Sequence, residues 1–134
     1  TEMGEVRKRI GYCPQFDPLL PTMTGRETLI MFARIRGIPL ENISAVVDSI
    51  LYRLGLSYAG NRQCGGYSGG MKRKLSLGIA LIGQPKVVFL DEPSTGMDPA
   101  SRLFLWSVLA DIATNTSTAM VLTTHSMEVG FYFV

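Results

Sequence analysis

The sequence has little with which to staple or anchor itself. Only two cysteines, Cys13 and Cys64, occur in 134 residues, and two so far apart make neither a disulfide framework nor a zinc site. They are expected to be reduced thiols of a cytosolic compartment. No apolar run approaches the ~18 residues a membrane span requires, and no secretory signal stands at the start. The segment is therefore expected to be soluble, which leaves room for it to belong to a membrane protein. Net charge is only +2, too small to point to nucleic acid or an anionic membrane as partner. Repeats and low-complexity linkers are missing as well. What remains is a globular composition, 46% hydrophobic and 18% charged, which argues against disorder and suits one domain or a piece of a larger one.

Patterning gives the order of elements. Arg9 to Cys13 reads as a strand stopped by Pro14, and the proline-rich stretch to Pro21 as a loop. Thr24 followed three residues on by Glu27 is a capping box, opening a helix to about Arg36 that Gly37 and Pro39 end. Ile43, Val46, Val47, Ile50, Leu51 and Leu54 recur at helical spacing, which predicts a helix from Glu41 to Leu54 stopped by Gly55. After a turn-rich stretch, another helix is expected from near Ser68 to about Ile82. Val87 to Leu90 has the length and composition of a buried strand. Asp98-Pro99 supplies a cap and a first-turn proline, and the helix it opens carries the stripe Leu105, Val108, Leu109 and Ile112. Thr118 to Thr123 is a further strand. Alternating helices and strands predict an α/β fold with a parallel sheet and right-handed crossovers. Ligands of such sheets lie at the carboxyl ends of strands, where Asp91 and His125 stand.

Asp91-Glu92 directly follow four apolar residues, so a strand delivers two adjacent carboxylates to the sheet edge. One can hold Mg²⁺ through water while the other polarises an attacking water; a pair of capping acids on a loop is the alternative. Tyr67-Ser68-Gly69-Gly70-Met71 opens a helix, where unpaired N–H groups bind anions and glycines admit a phosphate. Lys72, Arg73 and Lys74 add positive potential, although a flexible turn with a solvated basic face would read the same way. Gln15 follows a strand in a proline-flanked loop, where its carbonyl can bind a metal-held water. His125, the sole histidine, can donate to a phosphate oxygen or serve as a structural cap.

Taken in order, these segments resemble the motifs of ATP-binding-cassette (ABC) proteins. Cys13-Pro14-Gln15-Phe16-Asp17 resembles the Q-loop, and residues 67–71 the signature motif. Val87-Val88-Phe89-Leu90-Asp91-Glu92 is similar to Walker B, residues 94–99 to the D-loop, and Thr124-His125-Ser126 to the H-loop. Tyr-Ser-Gly-Gly-x-Lys-Arg-Lys-Leu-Ser and Asp-Glu-Pro-x-Thr-Gly-Met-Asp-Pro are most like the A subfamily of eukaryotic transporters, many of which move lipids. The resemblance implies a partial P-loop NTPase fold of the ABC ATPase type across residues 1–134, with a parallel sheet core and a helical subdomain at about 23–65. It implies ATP and Mg²⁺ as cofactors. Asp91 would help hold Mg²⁺, Glu92 would polarise the water, and Gln15 would sense both and couple to the membrane domain. His125 would contact the γ-phosphate. Ser68, Gly69 and Gly70 would meet the γ-phosphate of ATP held by a second nucleotide-binding domain, closed head-to-tail, and Asp98 would link the two sites. Transmembrane domains of the same transporter would be the other partner, with a lipid substrate carried by the parent and no nucleic acid bound. The place implied is the cytosolic face of a membrane.

This sequence departs from the pattern in three ways. No Gly-x-x-x-x-Gly-Lys-Ser/Thr occurs, the loop that cradles phosphates on backbone N–H groups and a lysine. In the family that loop, and the aromatic that stacks on adenine, would lie before Thr1. Met71 replaces the residue that ends the signature, and an apolar tail at 129–134 stands where an acidic helical stretch is expected, as a truncation or altered splice would leave it. The isolated chain is therefore expected to be poorly stable and to hydrolyse ATP negligibly. Two other readings keep the fold: a soluble cassette ATPase acting on nucleic acid or ribosomes, and a truncated, non-catalytic cassette that only binds a partner domain.

Overall fold

The computed structural model describes residues 1–124. His125, on which a γ-phosphate contact was expected, and the tail at 129–134 lie outside the described residues. The chain runs α1 (Glu2–Lys8), β1 (Ile10–Cys13), α2 (Gly25–Ile35), α3 (Leu40–Arg53), α4 (Gly69–Leu81), β2 (Val87–Asp91), α5 (Pro99–Asn115) and β3 (Ala119–Thr123). Single 3-10 turns at Ser57–Ala59 and Cys64–Gly66 carry the chain from α3 to α4.

The three strands form one parallel sheet in the order β1-β2-β3, with Cys13 opposite Leu90 and Asp91 opposite Thr123. The parallel sheet anticipated from the alternation of elements is thus present. Every expected helix and strand is found within a residue or two of its expected ends. The exception is α1, which the hydrophobic pattern cannot reveal because it buries none of its residues. Its charges run with the helix dipole, Glu2 and Glu5 early and Arg7 and Lys8 late.

Local chemistry sets the helix ends. The Thr24 side chain accepts from Glu27 N–H while the Glu27 carboxylate accepts from Thr24 N–H, so the capping box closes in both directions. Gly55 follows α3 with a φ of 68°, a left-handed conformation that lets the chain leave the helix without a Cβ clash.

Among the described residues one apolar core joins the helices to the sheet. Leu29 and Ala33 of α2, Ile43, Val47 and Leu51 of α3, and Leu75, Leu77 and Ala80 of α4 are buried with Val88 and Leu90 of β2 and Leu105, Trp106 and Leu109 of α5. Helix α4 is the hub: it packs on β1, α2, α3 and α5 and is buried on nearly all sides. The opposite face of the sheet is bare. Tyr12, Phe89 and Val121 align across the three strands and remain 56%, 40% and 50% exposed. No helix among the described residues is long and apolar enough to cross a membrane.

Candidate nucleotide site

Strand β2 ends at the site. Its side chains alternate, so Val88 and Leu90 point into the core and Asp91 emerges at the carboxyl end of the sheet. The neighbouring strand steadies it: Thr123 Oγ1 donates to Asp91 Oδ1 at 2.9 Å. Glu92 follows with a φ of 44°, a left-handed conformation that costs a non-glycine residue and collects at functional sites. Its N–H donates to the Thr123 carbonyl at 2.9 Å, which holds the turn. An open cavity of about 720 Å³ lies above these strand ends, lined by Gln15, Asp91, Glu92, Thr95, Leu122, Thr123 and Thr124. Gln15 and Glu92 are 77 residues apart in sequence (92 − 15), yet both face this one space.

The cavity's chemistry suits a hard, hydrated cation beside phosphate. Asp91 supplies a carboxylate fixed by a hydroxyl, Gln15 an amide carbonyl, and the opening leaves room for water. Mg²⁺ takes one or two carboxylates and keeps much of its hydration shell, so these residues fit it. Among the described residues no three His, Cys, Asp or Glu side chains converge as a protein-only metal cage, and Mg²⁺ beside phosphate does not require one.

Ser68, Gly69 and Gly70 are not part of that cavity. Ser68 caps α4, its Oγ accepting from Met71 N–H at 3.2 Å, and its own O–H remains available to donate. Ser68 and Gly69 are exposed, whereas Gly70 is buried against the start of α5. Asp98 caps α5, accepting from Ser101 N–H at 3.1 Å. Hydrogen bonding from the Ser101 hydroxyl first, then from the Ser101 N–H and the neighbouring backbone N–H groups, holds its carboxyl below the ordinary carboxylate value. The openings of α4 and α5 thus lie side by side.

The basic run Lys72-Arg73-Lys74 divides. Lys74 Nζ lies 4.3 Å from the centre of the Phe104 ring, a cation–π contact. Arg73 turns inward and is 4% exposed, so this run is not simply a solvated basic face. The signal was there to be read: Arg73, Ser76, Leu77 and Ala80 share one helical stripe, and all four are buried. Thr123 gave no such signal, because its role depends on the register between β2 and β3.

A parallel α/β sheet with paired acids at one strand end, beside a helix opened by Ser-Gly-Gly, defines a partial P-loop-type ATPase fold. A family model described as ABC transporter matches residues 1–95, and the chain belongs to that family. Among curated relatives, the phospholipid-transporting ATPase ABCA3 of Homo sapiens is 57% identical over 128 residues, covering 96% of this chain and 8% of that protein. The retinal-specific phospholipid-transporting ATPase ABCA4 of Homo sapiens is 51% identical over 128 residues, 96% of this chain and 6% of the relative. The ABC transporter A family member 2 of Arabidopsis thaliana is 49% identical over 126 residues, 94% and 13%. The resemblance to the A subfamily is borne out. The chain spans only a small part, 6% to 13%, of these relatives.

Proposed function

We propose that this chain is the second half of a nucleotide-binding domain in an A-type ABC transporter, where ATP hydrolysis drives a lipid across a membrane. The supporting observation is the shared cavity: Gln15, in the loop after β1, and Asp91 and Glu92, at the end of β2, lie far apart in sequence and line one opening at the strand ends. Asp91, braced by Thr123, would hold Mg²⁺ through water together with Gln15, which lines the same cavity. Bound there, Mg²⁺ would neutralise charge on the phosphate oxygens. Glu92 accepts a proton from the attacking water and orients it. His125 donates to the γ-phosphate. Ser68 O–H and the N–H groups of Gly69 and Gly70 serve ATP held by a second nucleotide-binding domain, head-to-tail. The position of all three outside the Asp91 cavity, with Ser68 and Gly69 exposed, supports that division. Asp98, at the opening of α5 beside Gly70, links the two sites. The helical pair α2 and α3 belongs to a helical subdomain at about 23–65 that, with the Q-loop, meets the transmembrane domains at the cytosolic face. The relatives' names, phospholipid-transporting ATPases, support a phospholipid as the substrate class.

The test is ATP hydrolysis by the full-length transporter carrying this segment, reconstituted in phospholipid vesicles. Glu92→Gln should lower turnover about a hundredfold or more, in the range general-base removal causes, without loss of nucleotide binding. Wild-type turnover in that variant refutes the assignment.

The phosphate-cradling loop missing from this sequence favours a second reading for the chain when alone: a non-catalytic cassette that binds a partner domain. The bare row Tyr12, Phe89 and Val121 further supports poor stability in isolation. Retention of an intact cassette by the isolated chain, without hydrolysis, supports this reading; hydrolysis that disappears with Glu92→Gln overturns it.

A further inference from the structure

Arg73 is placed where no surface lysine or arginine would be. A buried charge is costly unless it is paired and hydrogen-bonded, and Arg73 meets that condition by gathering two loops. Its Nη1 donates to the carbonyls of Pro14 and Gln15 at 2.7 and 2.8 Å and to Asp17 Oδ1 at 3.0 Å. Its Nε donates to the Pro93 carbonyl at 3.2 Å. Asp17 is held from a second side, Ser76 Oγ donating to the same oxygen at 2.9 Å. One guanidinium therefore grips the backbone of Gln15 itself and of the residue directly after Glu92. Both side chains face the cavity at the strand ends. Arg73 sits five residues along α4 from Ser68, the cap of the signature helix.

We propose that Arg73 is a positioning residue that sets the separation of Gln15 from Glu92 and ties both to the signature helix. This rests on the ATPase reading given above. The planar fork matters as well as the charge. Arginine presents donors from three nitrogens in fixed directions, so it can span the Pro14–Gln15 loop and Pro93 together. A lysine ammonium keeps the charge beside Asp17 but donates from a single point and cannot bridge both loops. Freed of the bridge, the loop at Gln15 and the turn at Glu92 lose their common reference, and water and cation between them are held less well.

The experiment uses the full-length transporter in phospholipid vesicles, with Arg73→Lys, Asp17→Asn and Glu92→Gln. Two readouts are taken. One is the Mg²⁺ concentration that half-saturates hydrolysis, alongside kcat and KM for ATP. The other is the distance distribution between spin labels at positions 16 and 95, both exposed, measured without nucleotide. Arg73→Lys should raise the half-saturating Mg²⁺ about tenfold, as loss of groups that orient a metal's ligands does, and broaden the label distribution. Asp17→Asn should do both to a smaller degree. A merely structural role would lower kcat in proportion to the folded fraction and leave half-saturation and the distribution unchanged; that result in both variants overturns the proposal. If Glu92→Gln still turns over, the ATPase reading fails. If Glu92→Gln is dead while Arg73→Lys keeps wild-type half-saturation and a narrow distribution, only the role of Arg73 fails.

Discussion

Gly70 stands directly against Ser101: a Cβ at position 70 would lie 2.8 Å from the Ser101 Oγ and 3.1 Å from its Cβ. The close approach joins the opening of α4 to that of α5, and so the proposed signature motif to the D-loop. It gives Gly70 a packing reason as well as a phosphate-binding one.

Gly70→Ala should destabilise the domain by about 1–3 kcal/mol, the range for an added methyl in a packed contact. Ser101→Gly in the same chain should recover much of that loss, because it removes the atoms the methyl meets. Thermal unfolding of the two single variants and the double variant measures the coupling; additive losses would refute the direct contact.

Thr123→Val keeps the shape of β3 and removes the hydroxyl that donates to Asp91. Mg²⁺-supported hydrolysis by the parent transporter should then need roughly tenfold more Mg²⁺, at the low end for a partner that orients a metal ligand, since this pair is solvent-exposed. Thr123→Ser should behave as wild type.

Asp98 carries a pH prediction. Its carboxyl is held below the ordinary value of 3.8, first by the hydrogen bond from the Ser101 hydroxyl and next by the one from the Ser101 N–H. A lowered folded pKa means that the cap's contribution is present above the unfolded value and is lost as pH falls through the folded one. Hydrogen exchange at the Ser101 amide should therefore stay slow at pH 5 relative to the intrinsic rate and lose protection only below the usual carboxylate range. Asp98→Asn keeps the cap and should abolish that acid-linked loss.

Cys13 responds at the other end of the scale. Burial pushes its thiol up from 9.0 to about 11, although Arg73 nearby pulls the other way. A raised folded value contributes stability that is fully present below pH 9.0 and lost as pH rises through about 11. At pH 8 the peptide carrying Cys13 should resist iodoacetamide in the native protein and react once urea unfolds it, as read by mass spectrometry. Rapid native labelling would contradict the burial.

Thr24→Ala should weaken α2 by about 1 kcal/mol, as loss of an N-cap does. Thr24→Ser should cost much less, since it keeps both halves of the exchange with Glu27. Denaturant midpoints distinguish the two.

The sequence by itself determined whatever local physics controls. Thr24 and Asp98 capped the helices they were expected to cap, and Ser68 caps the helix expected to start near it, because a side chain and an N–H three residues on meet regardless of the rest of the fold. Helical stripes and apolar strands located the core, and the end of β2 placed Asp91 and Glu92 at the sheet's edge. Tertiary structure alone decided which distant groups meet there. Arg73 reaches Asp17 across 56 residues, Thr123 reaches Asp91 across 32, and Ser101 closes on Gly70. Those pairings follow from the register of parallel strands and from the packing of α4 against β1 and α5. A basic run has the same composition whether its middle arginine faces water or the interior; the close-packed core around α4 sent Arg73 inward, and only acceptors contributed by other loops could hold it there.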